Sequence, residues 1–410
     1  MKIVSADAAI AAIADGAGVI LPHGAVEPTT LYDAWQRARS RFRDVTLYSG
    51  LQFGAYTFLA EGLGENFRYV TWQASAKLRD RFRRGQIDFL PLRFRDIVRV
   101  VRRGGAVEPD VVLVQVTPPR DGKVSLGIAA SIYPDLVAAA RLVIAEIHPE
   151  MPWTYGASEI DAEDIDLAVE ADASLGIYRS PRESERDARV VDRVLELIPR
   201  DAWVQLGVGA IPDALLPRLH EVDGVNLHSG MLSTGLVEFL GRARHRARAV
   251  TGEVAGTEEL YRAVAENPQV EFRPSSVTHD LLSIAALPRF VSVNSAVEVD
   301  LHGQVNGETI DGVQISGVGG GLDFVEAAAY SAGGLSIVAL PSTTEDGKRS
   351  KIVTNLSAAT PVTIPRHCAD VVVTEYGAAR LRGKTLRQRA EALVAVAHPD
   401  FRATLSAAVR

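Results

Sequence analysis

Val204-Gln205-Leu206-Gly207-Val208-Gly209-Ala210-Ile211-Pro212-Asp213-Ala214 is the stretch on which the fold turns. Val204 to Leu206 is a short apolar run of the kind that forms a buried strand. Gly207 and Gly209 then make a turn, and Pro212 stands near the first turn of a helix, where a missing N–H costs little. A strand running through a glycine turn into a helix exposes backbone N–H groups at the helix N-terminus. An anion or a developing oxyanion is stabilised there. The stretch is not a dinucleotide fingerprint, because Pro212 occupies the place of the third glycine. Taken alone, it also fits an ordinary tight turn between a strand and a helix.

The same alternation extends outward in both directions. Val19-Ile20-Leu21, Val45-Thr46-Leu47-Tyr48 and Val111 to Val116 read as buried strands on the N-terminal side. Val225-Asn226-Leu227, Val291-Ser292-Val293, Ile337 to Leu340 and Val371 to Thr374 continue the series on the C-terminal side. Ala- and charge-rich helical stretches, such as Leu31 to Ser40 and Leu386 to Ala397, lie among them. Strands alternating with helices imply an α/β fold with mainly parallel sheets covered on both faces. The charged, proline-bearing segment at 178–186 marks a boundary. Two domains are therefore expected, 1–185 and 186–410.

Composition narrows the classes of function. The 410 residues, 47% hydrophobic and 23% charged, suit two or three domains with sizeable cores. A formal charge of −7 argues against a nucleic-acid surface. The single cysteine, Cys368, excludes an intramolecular disulfide and suits a reducing compartment. No apolar run reaches the ~18 residues of a membrane helix. The N-terminus lacks a charged-then-apolar leader pattern. A cytoplasmic protein with no membrane association is expected. The nine histidines show no H-E-x-x-H or close ligand pair, so no metal site is expected. No G-x-S-x-G nucleophile elbow is present.

Three further segments are candidates for a site. Ser316 to Phe324 carries Gly317, Gly319, Gly320 and Gly321, which let a backbone approach a ligand closely. Ala339 to Val353 runs from a strand into a polar loop holding Lys348, Arg349 and Lys351. It fails the Walker pattern, because position 342 is serine, and it also reads as a solvated hairpin. In Val373-Thr374-Glu375-Tyr376-Gly377, a glutamate ends a strand beside a glycine, placed either for a cleft or to cap the next helix.

These segments occur in an order that resembles the acetyl-CoA hydrolase/transferase family of class I CoA-transferases, the group that includes 4-hydroxybutyrate CoA-transferases. The resemblance rests on Gly207 to Pro212, Asn294 to Asn306, Ile315 to Gly320, Asp323-Phe324, Ser331 to Gly334, Leu340 to Thr343, Val372 to Gly377 and Ala397 to Arg402. Looser matches, such as Gly85 to Pro91 and Pro118-Pro119, carry it into the N-terminal half. It implies two open α/β domains of CoA-transferase type with the active site at their interface. It also implies coenzyme A thioesters as substrate or product, no metal, and a homodimer or higher homo-oligomer. In such enzymes a glutamate attacks the acyl-CoA, giving an anhydride and then a glutamyl-CoA thioester. By the same resemblance, Gly207, Gly209, Gly319 and Gly320 belong to the oxyanion and CoA loops. Glu375 matches a cleft glutamate, and Lys348, Arg349 and Lys351 lie near the CoA phosphates.

One departure alters the chemistry. The family's nucleophile motif reads His-Ser-Glu-Met-Ile-Ser-Asp-Gly, whereas this chain has His228-Ser229-Gly230-Met231-Leu232-Ser233-Thr234-Gly235. Glycine supplies no nucleophile. Gly321 stands in place of a glutamine, and His279 in place of an asparagine that positions the nucleophile. His279 is thus expected to face the space at Gly230 and act as a general base, oriented by Asp280 or Glu375. Hydrolysis or another water- or acceptor-driven acyl transfer is favoured. A conventional acyl-CoA:carboxylate CoA-transferase and a non-catalytic acyl-CoA-binding homologue are the alternatives.

Overall fold

Val111–Val116 is buried at every position, the signature of a strand covered on both faces of a parallel sheet. In the computed structural model, which describes residues 1–409, it lies inside an eight-stranded sheet. The strands are β1 (Lys2–Ile3), β2 (Gly18–Ile20), β3 (Val45–Ser49), β4 (Phe67–Thr71), β5 (Asp88–Phe89), β6 (Val111–Val116), β7 (Leu142–Ile147) and β8 (Leu167–Glu170). Their order is β1-β8-β7-β6-β2-β3-β4-β5, and each adjacent pair is parallel. On one face, the helix Thr29–Ala38 buries Leu31, Tyr32, Ala34 and Trp35. Trp35 stacks on Phe42 with ring centroids 4.5 Å apart.

The chain divides into two units, Met1–Arg179 with Val250–Thr278, and Ser180–Ala249 with His279–Arg410. This differs from a single cut at 185/186, because Val250–Thr278 returns to the first unit. Backbone hydrogen bonds hold it there: Ser131 N–H donates to Gly252 O (2.8 Å), Val254 N–H to Ile128 O (2.9 Å) and Ala157 N–H to Phe272 O (2.7 Å).

The second unit begins with the helix Glu185–Leu195. Its capping box pairs the Ser184 side chain with the Asp187 N–H and the Asp187 side chain with the Ser184 N–H. Six strands of its sheet are β9 (Trp203–Leu206), β10 (Asn226–Leu232), β11 (Phe290–Ser295), β12 (Leu335–Ala339), β13 (Val371–Thr374) and β14 (Gly377–Arg380). These six follow the order β14-β13-β12-β11-β9-β10 in a nine-stranded sheet. All pairs are parallel except the closing β13–β14 hairpin.

Both sheets contain a point where the strand order reverses. In the first unit, β2 to β5 proceed toward one edge while β6 lies on the other side of β2. In the second, β10 flanks β9 on one side and β11 on the other. Open parallel sheets bind ligands outside the carboxyl ends of the strands at such a point.

Candidate active site

In the second unit the reversal lies between β9 and β11, and the glycine segments gather at the carboxyl ends of these strands. Gly207 follows β9 directly, and its N–H donates to Val293 O (2.8 Å). Gly209, with φ 139° and ψ 178°, is the N-cap of the helix Ala210–Arg218. Only glycine adopts that backbone readily. Asn294, on β11, lies close to two glycines. A Cβ at Gly207 would stand 3.0 Å from Asn294 Oδ1, and one at Gly321 would stand 3.5 Å from it. The Asn294 amide is fixed by Gln205 on β9. Gln205 Nε2 donates to Asn294 Oδ1 (3.2 Å), and Asn294 Nδ2 donates to Gln205 Oε1 (3.1 Å).

Gly230 lies in β10, and Gly320 caps the helix Gly321–Tyr330. His279 fills the space beside both. A Cβ at Gly230 would meet His279 Cε1 at 2.8 Å and Nε2 at 2.9 Å. A Cβ at Gly320 would meet His279 Nε2 at 2.5 Å and Cδ2 at 2.6 Å. The Phe324 ring closes the group, 4.7 Å from the imidazole centroid. His279 is only 3% exposed. Burial pushes it from the usual 6.5 down to about 3, and His228 adds to the shift.

That burial changes what His279 can do. A group titrating near 3 is uncharged at neutral pH and a weak proton acceptor, far from the matched base that acid–base catalysis favours. The orienting partners expected for it are also committed elsewhere. Asp280 accepts hydrogen bonds from Ser283 N and Oγ, both 2.8 Å, and so caps its own short helix. Glu375 is buried at the end of β13, where its carboxylate accepts from Ser342 N (2.8 Å) and Ser342 Oγ (2.9 Å).

The three cations of the polar loop do not act as one cluster. Thr343 to Ser350 forms a hairpin pinned by Arg186, whose guanidinium donates to Thr343 Oγ1, Thr344 O and Glu345 O. Lys348 and Arg349 are exposed on it, and Arg349 pairs with Asp311 (3.1 Å). Lys351 turns inward. Burial lowers its ammonium below the usual range, while Asp187 and Glu375 oppose that shift. The Gln205–Asn294 pair was not anticipated from sequence. The available signal was an amide inside each of two apolar strand runs.

Among the described residues, no group of three or more His, Cys, Asp or Glu is placed to hold a metal ion. No helix there is long and apolar enough to cross a membrane.

A parallel α/β sheet with glycine loops at its reversal point is a ligand-binding architecture shared by many enzymes, and comparison with known proteins narrows it. Residues 1–184 match the acetyl-CoA hydrolase/transferase N-terminal domain, and residues 256–409 match the C-terminal domain of the same family. The chain belongs to the acetyl-CoA hydrolase/transferase family of enzymes. It is 36% identical over 413 residues to the 4-hydroxybutyrate coenzyme A transferase of Clostridium kluyveri, covering 98% of this chain and 96% of that protein. RipA from Yersinia pestis superposes with a TM-score of 0.93 at 29% identity, covering 99% of this chain and 96% of RipA. The 4-hydroxybutyrate CoA-transferase of Porphyromonas gingivalis gives 0.84 at 30% identity, with the same coverage of each chain.

Proposed function

We propose that this chain turns over an acyl-CoA thioester and passes the acyl group directly to water or another small acceptor, with no glutamyl anhydride or glutamyl-CoA thioester formed at position 230. The packing of His279 against Gly230 and Gly320 carries this reading. Glycine offers no nucleophile, and the imidazole fills the volume that a longer side chain at 230 would enter. Family membership supports the thioester as substrate, since the Clostridium kluyveri and Porphyromonas gingivalis relatives are CoA transferases. Coenzyme A is then part of the substrate or product, not a resident cofactor.

In this reading, Gly207, Gly209, Gly319 and Gly320 supply backbone donors near the reacting carbonyl. His279, held neutral, serves through its N–H as a hydrogen-bond donor, the role a histidine takes when its pKa is driven well below neutrality. Lys351 and the exposed Lys348 and Arg349 are the cations offered to the CoA phosphates. The filled position beside Gly230 also suits a protein that binds acyl-CoA without converting it.

The test is thiol release from acetyl-, butyryl- and 4-hydroxybutyryl-CoA, with and without added acetate, together with mass spectrometry of the protein. Release without a carboxylate acceptor, and no glutamyl-CoA adduct, is expected. Release that requires acetate, or a glutamyl-CoA adduct, would overturn the proposal. Calorimetric binding of these thioesters with no turnover would favour the binding protein.

A further inference from the structure

In the second unit, the helix Glu185–Leu195 presents a row of alternating charge to solvent. Arg189, Asp192, Arg193 and its C-cap Glu196 recur at i, i+3, i+4 and i+7, so they share one helix face. All four are exposed, while Val190, Val191 and Val194 on the opposite face are buried. Together with Arg218 and Glu221 they line an open groove of about 530 Å³. Arg218 is the last residue of the helix Ala210–Arg218. Leu195 apart, every residue lining the groove is charged. Glu375 also reaches it, but Ser342 already holds that carboxylate.

The order of signs matters. From Arg189 to Glu196 the row reads plus, minus, plus, minus, and reversing its direction inverts every sign. Such a face is complementary to an antiparallel copy of itself. With a two-fold axis passing between positions 192 and 193, Arg189 faces Glu196 of a second copy, and Asp192 faces Arg193 of that copy. The symmetry repeats each pair, giving four oppositely charged contacts along about 10 Å of helix. A parallel arrangement would instead set each charge against its like.

The ion pairs within the chain leave one member of the row over. Arg193 pairs with Glu196 (3.1 Å), and Arg218 pairs with Asp192 and Glu221, both at 2.7 Å. Arg189 has neither a hydrogen bond nor an ion pair among the described residues. The groove is also electrically balanced, with Arg189, Arg193 and Arg218 set against Asp192, Glu196 and Glu221. The chain as a whole carries −7, so two copies repel on average. A neutral face of alternating sign lets them approach without that penalty and supplies Arg189 with a carboxylate.

We propose that two copies of this chain pair through this face, with their Glu185–Leu195 helices antiparallel about a two-fold axis between Asp192 and Arg193. Each helix lies along the other copy's groove, beside Arg218 and Glu221. Exposed ion pairs contribute little apiece, and complementary charge fixes orientation more than affinity. The contact is therefore a reversible one, sensitive to salt and selective for the antiparallel register.

The test is a charge exchange on the full chain, read by sedimentation velocity. Arg189→Glu and Glu196→Arg should each weaken self-association at least about tenfold, because each places like charges opposite one another twice per pair. The double variant Arg189→Glu/Glu196→Arg restores opposite signs at both contacts and should return to within about threefold of native. Raising salt from about 0.05 M to about 0.5 M should weaken the native pair and leave the single variants less affected. Crosslinking decides the case where another surface also joins copies. In a Cys368→Ser background, Arg189→Cys and Glu196→Cys chains are mixed and oxidised. A disulfide-linked dimer should form between the two variants and not within either alone, since positions 189 and 196 face each other across the axis while 189 and its own copy lie about 10 Å apart along it. Native-strength association in Arg189→Glu, no recovery in the double variant, or no mixed disulfide would overturn the proposal.

Discussion

The imidazole of His279 occupies the space into which a side chain at Gly230 would extend, 2.8 Å from the position of its first carbon. A first side-chain carbon at Gly320 would meet the same ring more closely still, at 2.5 Å. The two glycines and the histidine therefore form one packing unit, in which a large residue at 279 is matched by the smallest residue at 230 and 320. A substitution at any one of the three is felt by the other two.

Gly230→Ala should be destabilising by roughly 1–3 kcal/mol, the usual cost of overpacking a filled interior. In a His279→Ala background the added methyl group enters a cavity, and most of that cost should vanish. The double-mutant cycle, read by urea denaturation, should give a coupling of about 1 kcal/mol or more, as expected for residues in direct contact. Additive single effects would show that the two side-chain volumes are independent.

The same packing bears on covalent chemistry. Gly230→Glu alone should yield no trappable adduct, because its carboxylate would have to displace a buried ring. Gly230→Glu combined with His279→Asn exchanges the large side chain from one position to the other. The double variant should form a glutamyl-CoA thioester on a peptide containing residue 230 after incubation with acetyl-CoA, detectable by mass spectrometry. An adduct in the single variant would mean that His279 yields its place easily.

His279 also makes stability depend on acid in a defined window. Its folded value of about 3 lies below the 6.5 of an unfolded histidine. Between these values the unfolded chain binds one more proton than the folded chain, so stability falls as pH is lowered. The full contribution is present above 6.5 and is lost progressively toward 3. The slope from this one group is about 1.4 kcal/mol per pH unit at most. His279→Asn should therefore lose less stability than the native chain between pH 6.5 and 4 in denaturant titrations. Parallel curves for the two proteins would contradict the burial-driven shift.

The strand runs and glycine turns were legible because each depends on local sequence. Val204 to Leu206 and Val111 to Val116 appear as strands where apolar runs placed them. The family resemblance was legible in the same way, through ordered short motifs. Long-range pairings were not. Val250–Thr278 joins the first unit through hydrogen bonds to Ile128, Ser131 and Ala157, more than 100 positions away in the chain. No local pattern encodes them. His279 was picked out by position, but its burial depends on Phe324 and two distant glycines, so its low pKa could not be foreseen. Nothing in the sequence around His23 or Glu253 signals that tertiary packing brings their side chains within 3.3 Å.

Glu375 offers the remaining test, because its geometry separates structural from catalytic work. Its carboxylate is held by both donors of Ser342, one from the backbone and one from the hydroxyl. Ser342→Ala removes the hydroxyl donor and leaves a buried carboxylate oxygen unpaired, which should be destabilising by about 1–3 kcal/mol. Ser342→Thr keeps a hydroxyl and should recover part of that loss. Glu375→Gln keeps one acceptor for the Ser342 N–H and places an amide near the hydroxyl, so its stability cost should be smaller than that of Ser342→Ala. If Glu375 only ties β13 to the segment after β12, all three variants should lose activity in proportion to the fraction unfolded. Thermal melts and kcat measured on the same samples would check this. A folded Glu375→Gln with kcat reduced a hundredfold would assign the carboxylate to the chemistry instead.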